Sequence, residues 1–154
     1  MEIKELNKLE NTEQNKKLVN NYSDFNTLLN ELRTKDIPLN VVNVINQEID
    51  GINSFSGSKK ALLKYIRKSK SNIFKLIEKE LKLVPKNLYR NRWMALGMAV
   101  FGIPFGIAFG TSLKNMAFIG IGIPIGMAVG IAIGTDMDKK AFKEGRQLDI
   151  EFKQ

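Results

Sequence analysis

Side chains that could carry acid–base, nucleophilic or metal chemistry are sparse in this chain of 154 residues. It contains no Cys and no His, which excludes thiolate nucleophiles, Cys or His zinc sites and Ser-His triads. The carboxylates between Glu2 and Glu13, and those of Glu78 and Glu80, fall on polar faces typical of solvated charges. No phosphate-binding glycine loop is present either. We therefore expect no enzyme activity, no catalytic residue, no metal and no cofactor.

Glycine spacing is the pattern with a specific physical meaning. The phrase GIPFGIAFG spans 102–110, and GIPIGMAVGIAIG spans 122–134. In both phrases glycine recurs at every fourth position: Gly102, Gly106 and Gly110, then Gly122, Gly126, Gly130 and Gly134. That spacing puts the glycines on one face of a helix, where two backbones can approach closely and gain van der Waals contacts and Cα–H···O bonds.

A second face of small residues runs opposite the glycines. Residues two positions apart on a helix point in nearly opposite directions. Ala108, Ala128 and Ala132, together with Pro104 and Pro124, therefore lie away from the glycine face. A helix that is narrow on both sides can pack within its own hairpin and also against another subunit. The pattern predicts a homo-oligomer, and tight packing within a monomeric hairpin is the alternative.

The two prolines occupy matching positions. Pro104 and Pro124 each lie ten residues from Lys114, so a turn at Lys114 places them at equal depth. Each proline frees the carbonyl four residues earlier, at Val100 and Gly120. One hypothesis is a paired hinge. The alternative is that neighbouring helices simply tolerate the prolines.

The glycine and proline motifs lie within a long apolar stretch. Lys114 is the only charged residue between Trp93 and Thr135, and it divides this stretch into two halves. Each half has the ~20 residues that a helix needs to cross a bilayer. Alternation of small and large residues could also indicate strands, but membrane strands alternate apolar with polar residues. Residues 93–135 are therefore predicted to form a transmembrane helical hairpin with glycine-zipper packing and a turn near 114.

Basic residues flank this predicted hairpin and suggest its orientation. Lys86, Arg90 and Arg92 precede the first crossing, Lys139 and Lys140 follow the second, and the turn has one Lys. By the positive-inside bias, both termini are predicted to be cytoplasmic. Trp93 lies where an interfacial anchor belongs. These six residues are the predicted membrane-surface group.

The net charge of +8 is concentrated beside the first crossing, where residues 59–92 hold twelve Lys or Arg and two Asp or Glu. Such a juxtamembrane block favours anionic lipid headgroups as its partner. Nucleic acid is disfavoured, because the lysines have few interleaved aromatic residues. The N-terminus lacks the apolar segment of a cleavable signal peptide.

The remaining chain predicts a small cytoplasmic helical bundle and a tail, so the expected fold class is all-α. Residues 1–58 form a polar helical region, with a conditional helix over 1–22 and helices over 24–33, capped by Ser23 or Asp24, and 38–49. A basic amphipathic juxtamembrane region covers 59–92, with its helix running from Ser58 to about Val84. Its apolar stripe either packs in the bundle or lies on the membrane surface. Residues 136–154 form a cytoplasmic tail, helical to Glu144.

The segment GIPIGMAVGIAIGTDMDKKAFKEGRQLDI resembles a group of bacterial glycine-zipper membrane proteins, mostly uncharacterised. The resemblance covers roughly 93–150 and includes the paired GIPxG phrases and the MDKKA…EGRQL ending. It implies a membrane hairpin, supplies no activity and leaves 1–58 uncovered.

Two functions from different classes follow from these features. The first is an oligomeric inner-membrane pore or channel-like protein, by analogy a toxin or phage-defence effector, controlled by its cytoplasmic helical region. The alternative is a non-enzymatic membrane-anchored structural or adaptor protein that binds a protein partner through residues 1–92. Both have the lipid bilayer as a partner, and they differ in whether the hairpin conducts.

Overall fold

The computed structural model describes residues 2–9 and 15–151, and its described part is mostly helical. The chain divides into two compact units, Met1–Leu83 and Val84–Gln154. The first unit contains three helices. The second contains a two-stranded sheet and two long apolar helices.

The first unit is built from α1 (Lys16–Arg33), α2 (Leu39–Asn53) and α3 (Lys59–Leu81). Each helix buries one stripe of apolar residues at helical spacing, as α1 does with Phe25, Leu28, Leu29 and Leu32. Helix α3 contacts both α1 and α2 and buries Ile66, Ile73, Phe74 and Ile77. Of the two interpretations of this stripe, packing within a bundle is the one found. Leu62, Leu63 and Leu81, toward the two ends of the helix, are only half-buried.

Three predicted helix ends were wrong. Helix α2 runs to Asn53, past its predicted end at 49. Helix α1 starts at Lys16, well before the expected cap at Ser23 or Asp24, because the Asn15 side chain accepts a hydrogen bond from the Leu18 amide at 3.1 Å. Leu18 continues the apolar stripe farther back along the helix and is fully buried. Helix α3 stops at Leu81, before Val84, where Lys82 takes the left-handed conformation with φ 56°. Ser58, where the helix was predicted to begin, caps its start.

Residues 2–9 form neither a helix nor a strand, although a conditional helix was expected over 1–22. Of that range only 16–22 are helical, as part of α1, and positions 1 and 10–14 lie outside the described residues. Two side-chain amides of α2 hold this segment. Asn46 accepts from the Lys4 amide at 2.8 Å and donates to the Glu2 carbonyl at 3.1 Å. Asn53, seven residues later on the same face, pairs likewise with the backbone of Asn7 and Glu5. The segment thereby gains backbone partners without entering a sheet, and Ile3 is buried.

The second unit contains two antiparallel helices. The first apolar helix, Leu88–Ser112, consists of α4 (Leu88–Gly97), a π-helical turn (Met98–Gly102) and α5 (Ile103–Ser112). The second apolar helix, Met116–Lys143, consists of a 3-10 turn (Met116–Phe118) and α6 (Ile119–Lys143). By length and composition both could cross a membrane. The first begins five residues before Trp93, where the predicted crossing started.

A short parallel sheet departs from the all-α expectation. Strand β1 (Val84–Lys86) pairs with β2 (Gln147–Glu151), with Val84 opposite Gln147 and Pro85 opposite Leu148. Proline is tolerated here because a two-stranded sheet consists only of edge strands. Gly145, with φ 68°, ends α6, and the Arg146 amide bonds back to Ala141, turning the chain toward β1.

Candidate functional site

The two apolar helices meet along a face made of glycine. Eight glycines on this face are buried: Gly97, Gly102, Gly106, Gly110, Gly122, Gly126, Gly130 and Gly134. A Cβ on Gly106 would lie 2.6 Å from the Ile119 carbonyl oxygen, and one on Gly134 would lie 2.5 Å from the Arg90 Cα. A Cβ on Gly122 would overlap the Gly102 carbonyl oxygen. Side chains at these positions would therefore meet backbone that cannot rotate away.

Gly97 was missed in the sequence because it lies five residues before Gly102, outside the four-residue period. In a regular α-helix five residues rotate by about 500°, which would turn Gly97 roughly 140° away from Gly102. The π-helical turn Met98–Gly102 absorbs one extra residue, and the Ile103 amide bonds to the Met98 carbonyl five residues back. Gly97 thereby joins the buried face, where a Cβ would overlap the Gly126 carbonyl oxygen.

The two predicted hinge residues lie in different local structures. Pro104 lies two residues after the π-helical turn, in the first turn of α5. Pro124 lies inside α6, which continues unbroken to Lys143. The sequence symmetry between the two GIP phrases is therefore not matched by the backbone. A working hinge at the two prolines stays a prediction. In the first apolar helix such a hinge would lie next to the π-helical turn.

The second small face remains uncovered. Pro104, Ala108, Pro124, Ala128 and Ala132 are all exposed. Large apolar side chains beside them are exposed as well, among them Ile103, Phe105, Ile107, Phe109, Ile121, Ile125 and Val129. In the most apolar stretch of each helix, only 22% and 17% of the residues are buried. A core helix of a soluble protein is mostly buried, whereas an exposed apolar surface of this kind is typical of a membrane or protein interaction site.

The turn between the helices is closed by backbone hydrogen bonds. Lys114 takes the left-handed conformation with φ 52°, and the Asn115 amide bonds to the Gly110 carbonyl at 2.9 Å. The Asn115 side chain then accepts from the Ala117 amide at 3.0 Å and caps the second helix. One residue pair thus ends one helix and starts the next.

At the open end of the hairpin, Asp138 caps the first apolar helix from the second. Its carboxylate oxygens accept from the backbone amides of Tyr89 at 3.1 Å and Arg90 at 2.9 Å. These amides belong to the first helical turn and have no intrahelical acceptor. Asp138 is buried, whereas Asp136 is exposed. No local sequence signal marks this role of Asp138, because the amide that it caps lies 48 residues away in the chain.

The predicted membrane-surface residues lie at this same open end. Arg90 and Arg92 are exposed and Trp93 is half-buried on the first helix, while Lys139 and Lys140 are exposed near the end of the second. Lys86, in β1, pairs with Asp149 of β2, and this hydrogen-bonded ion pair lowers the pKa of the Asp149 carboxyl. The Asn87 side chain donates to Glu151 at 2.9 Å and ties the same two segments together.

Comparisons with protein-family models, with curated proteins and with solved structures find no match to this chain. Within residues 2–9 and 15–151, no group of acidic side chains is arranged to hold a metal ion.

Proposed function

We propose that this chain is a two-crossing membrane protein whose hairpins assemble into a pore or channel-like oligomer. The bacterial inner membrane, with both termini on the cytoplasmic side, is its proposed location. One observation carries the proposal: the apolar helices contact each other through buried glycines, while their outer surfaces remain apolar and exposed. In a bilayer that outer surface faces lipid or another hairpin instead of water.

Oligomerisation is supported by the small residues left on the outer surface. Ala108, Ala128 and Ala132 let a second hairpin approach closely, and lipid tails compete poorly with such complementary surfaces. The glycine-zipper interpretation thus has two parts. The glycines pack the hairpin internally, and the alanine and proline faces join hairpins to one another. A pore built this way would have an apolar lining and would gate by wetting and dewetting.

A membrane-anchored adaptor is the second candidate. It is favoured by the composition of the exposed outer faces, which carry no charged residue between Trp93 and Thr135 except Lys114 at the turn. Such faces suit an anchor as well as a conducting assembly. In that case, residues 1–92 would bind the protein partner, and the bundle of α1, α2 and α3 would present the binding surface.

Dye release from lipid vesicles distinguishes the two candidates. Wild-type protein reconstituted in vesicles should release dye, and the double substitution Ala128→Leu and Ala132→Leu should abolish release by widening the outer face. Val129→Leu, on an exposed flank of the same helix, is the matched control and should still conduct. Absence of release from the wild type, with the protein correctly inserted, would favour the adaptor. Crosslinking in lipid that yields only monomer would overturn the oligomer.

A further inference from the structure

The exposed side of α3 carries a continuous stripe of basic residues, called here the basic stripe. Its members are Lys60, Lys64, Arg67, Lys68, Lys75 and Lys79, and all six are exposed. At 100° per residue they fall within an arc of about 120°. Glu78 is the acidic residue within this arc. The stripe therefore runs nearly the full length of the helix with a net charge that is strongly positive.

Packing of the bundle orients this stripe outward. Helix α3 buries Ile66, Ile73 and Ile77 on its opposite side, so the helix has no freedom to turn the lysines inward. The one lysine on the buried side, Lys70, lies 3.6 Å from Asp24 and is satisfied within the bundle. The basic stripe is thus held as a fixed, one-sided array of charge.

We infer that the basic stripe binds the anionic phospholipid headgroups of the membrane that holds the hairpin. This inference rests on the proposed membrane insertion and adds a second, electrostatic contact to it. Clustered Lys and Arg beside a membrane segment are drawn to anionic lipid, and the attraction falls off within a Debye length of about 8–10 Å.

A short segment of chain links α3 to the first apolar helix, so the basic stripe can reach the membrane surface. Helix α3 ends at Leu81 and the first apolar helix starts at Leu88. Seven peptide steps span at most about 25 Å, so the end of α3 cannot leave the neighbourhood of the bilayer. Tethering at this length keeps the local concentration of headgroups around the stripe high.

Single-stranded nucleic acid fits this surface less well, because its binding relies on aromatic side chains that stack on bases. The aromatic residues of α3 are engaged within the bundle. Tyr65 stacks on Phe55 with ring centroids 5.5 Å apart, and Phe74 is buried. The stripe itself offers aliphatic stems and charged ends, which suit phosphate headgroups.

Lysine acetylation footprinting of the full chain in lipid nanodiscs tests the inference. In nanodiscs containing phosphatidylglycerol, Lys60, Lys64, Lys68 and Lys75 should be acetylated about fivefold more slowly than in purely zwitterionic nanodiscs, and high salt should remove the difference. Lys16 and Lys17, exposed on α1, are the reference sites and should change little. The triple substitution Lys60→Glu, Lys64→Glu and Lys68→Glu should expose Lys75 equally in both lipids, whereas Lys16→Glu with Lys17→Glu should leave its protection intact.

The outcomes separate the two proposals. Failure of the chain to insert into either kind of nanodisc would overturn the proposal that it is a membrane protein. Insertion into both with equal acetylation of the stripe would overturn only the lipid contact. Protection by added oligonucleotide in zwitterionic nanodiscs, without protection by phosphatidylglycerol, would assign the stripe to nucleic acid and reject the lipid.

Discussion

The carboxylate of Asp138 accepts the backbone N–H of Arg90 at 2.9 Å, so the end of one apolar helix caps the start of the other. The same carboxylate accepts from Tyr89. We predict that Asp138→Ala lowers the free energy of unfolding by about 1–2 kcal/mol, the usual contribution of a capping carboxylate. Asp136→Ala removes an exposed carboxylate two residues away and should change little. Thermal unfolding in detergent micelles measures both, and equal effects would show that the cap contributes nothing.

Because the helices contact each other through some glycines and not others, the effect of a Gly→Ala substitution on stability should depend strongly on its position. Gly122→Ala places a methyl group against the Gly102 carbonyl and should destabilise the hairpin by about 1–3 kcal/mol. Gly120, two residues earlier in the same helix, has open space where a Cβ would lie, with no neighbouring atom within 4 Å. Gly120→Ala should therefore be neutral or stabilise by up to about 1 kcal/mol through helix propensity. Unfolding in micelles compares them, and similar losses at both sites would contradict close backbone packing.

Because the π-helical turn holds one residue more than a regular α-helical turn, we predict that deleting one residue from it is tolerated. Removing Ala99, an exposed residue of the turn, leaves Gly97 and Gly102 four residues apart, the spacing that shares a face in a regular helix. Removing Ala132, exposed in α6, instead rotates Gly134 and Asp138 by about 100° away from the first apolar helix, because α6 has no π-helical turn that could absorb the loss. We expect near-native unfolding for the first deletion and a clear loss of stability for the second. The reverse order would mean that the turn does not set the register.

Substitution of Asn46 tests how residues 2–9 are held against α2. Asn46→Ala removes the partners of the Lys4 amide and the Glu2 carbonyl and should cost about 1–3 kcal/mol. Asn43→Ala alters an exposed position of the same helix and should fall within about 0.5 kcal/mol of the wild type. Amide hydrogen exchange should show loss of protection at Lys4 in the first variant only. Unchanged exchange there would argue against the Asn46 contact.

The Lys86–Asp149 pair predicts a pH dependence of the small sheet. The pKa of Asp149 is lowered in the folded chain by its hydrogen bond to Lys86, so its contribution is complete above the unfolded pKa of about 3.9. It is lost as the pH falls through the lowered folded value. Amide exchange of β1 and β2 should accelerate there, modestly because the pair is exposed. Asp149→Asn should remove this dependence; its persistence would assign the effect to another group.

Local patterns were sufficient to predict the helices of the described residues and the small faces of the hairpin. Helical spacing of apolar residues predicted the bundle core, and a charge-free stretch of helix-crossing length predicted two candidate spans. These properties depend on residues three or four positions apart, which a single sequence displays directly.

Non-local partners decided the rest. Asp138 accepts from Arg90, Asn46 bonds to Glu2 and Lys4, and Val84 lies opposite Gln147, each across more than forty residues. The sequence by itself determined which faces are small, apolar or basic. Only the tertiary structure decided that a π-helical turn brings Gly97 into the buried face, that the glycines face each other, and that the alanine face and the basic stripe stay exposed. The physical reason is that periodicity defines a face, whereas its partner depends on which distant backbone comes within contact distance.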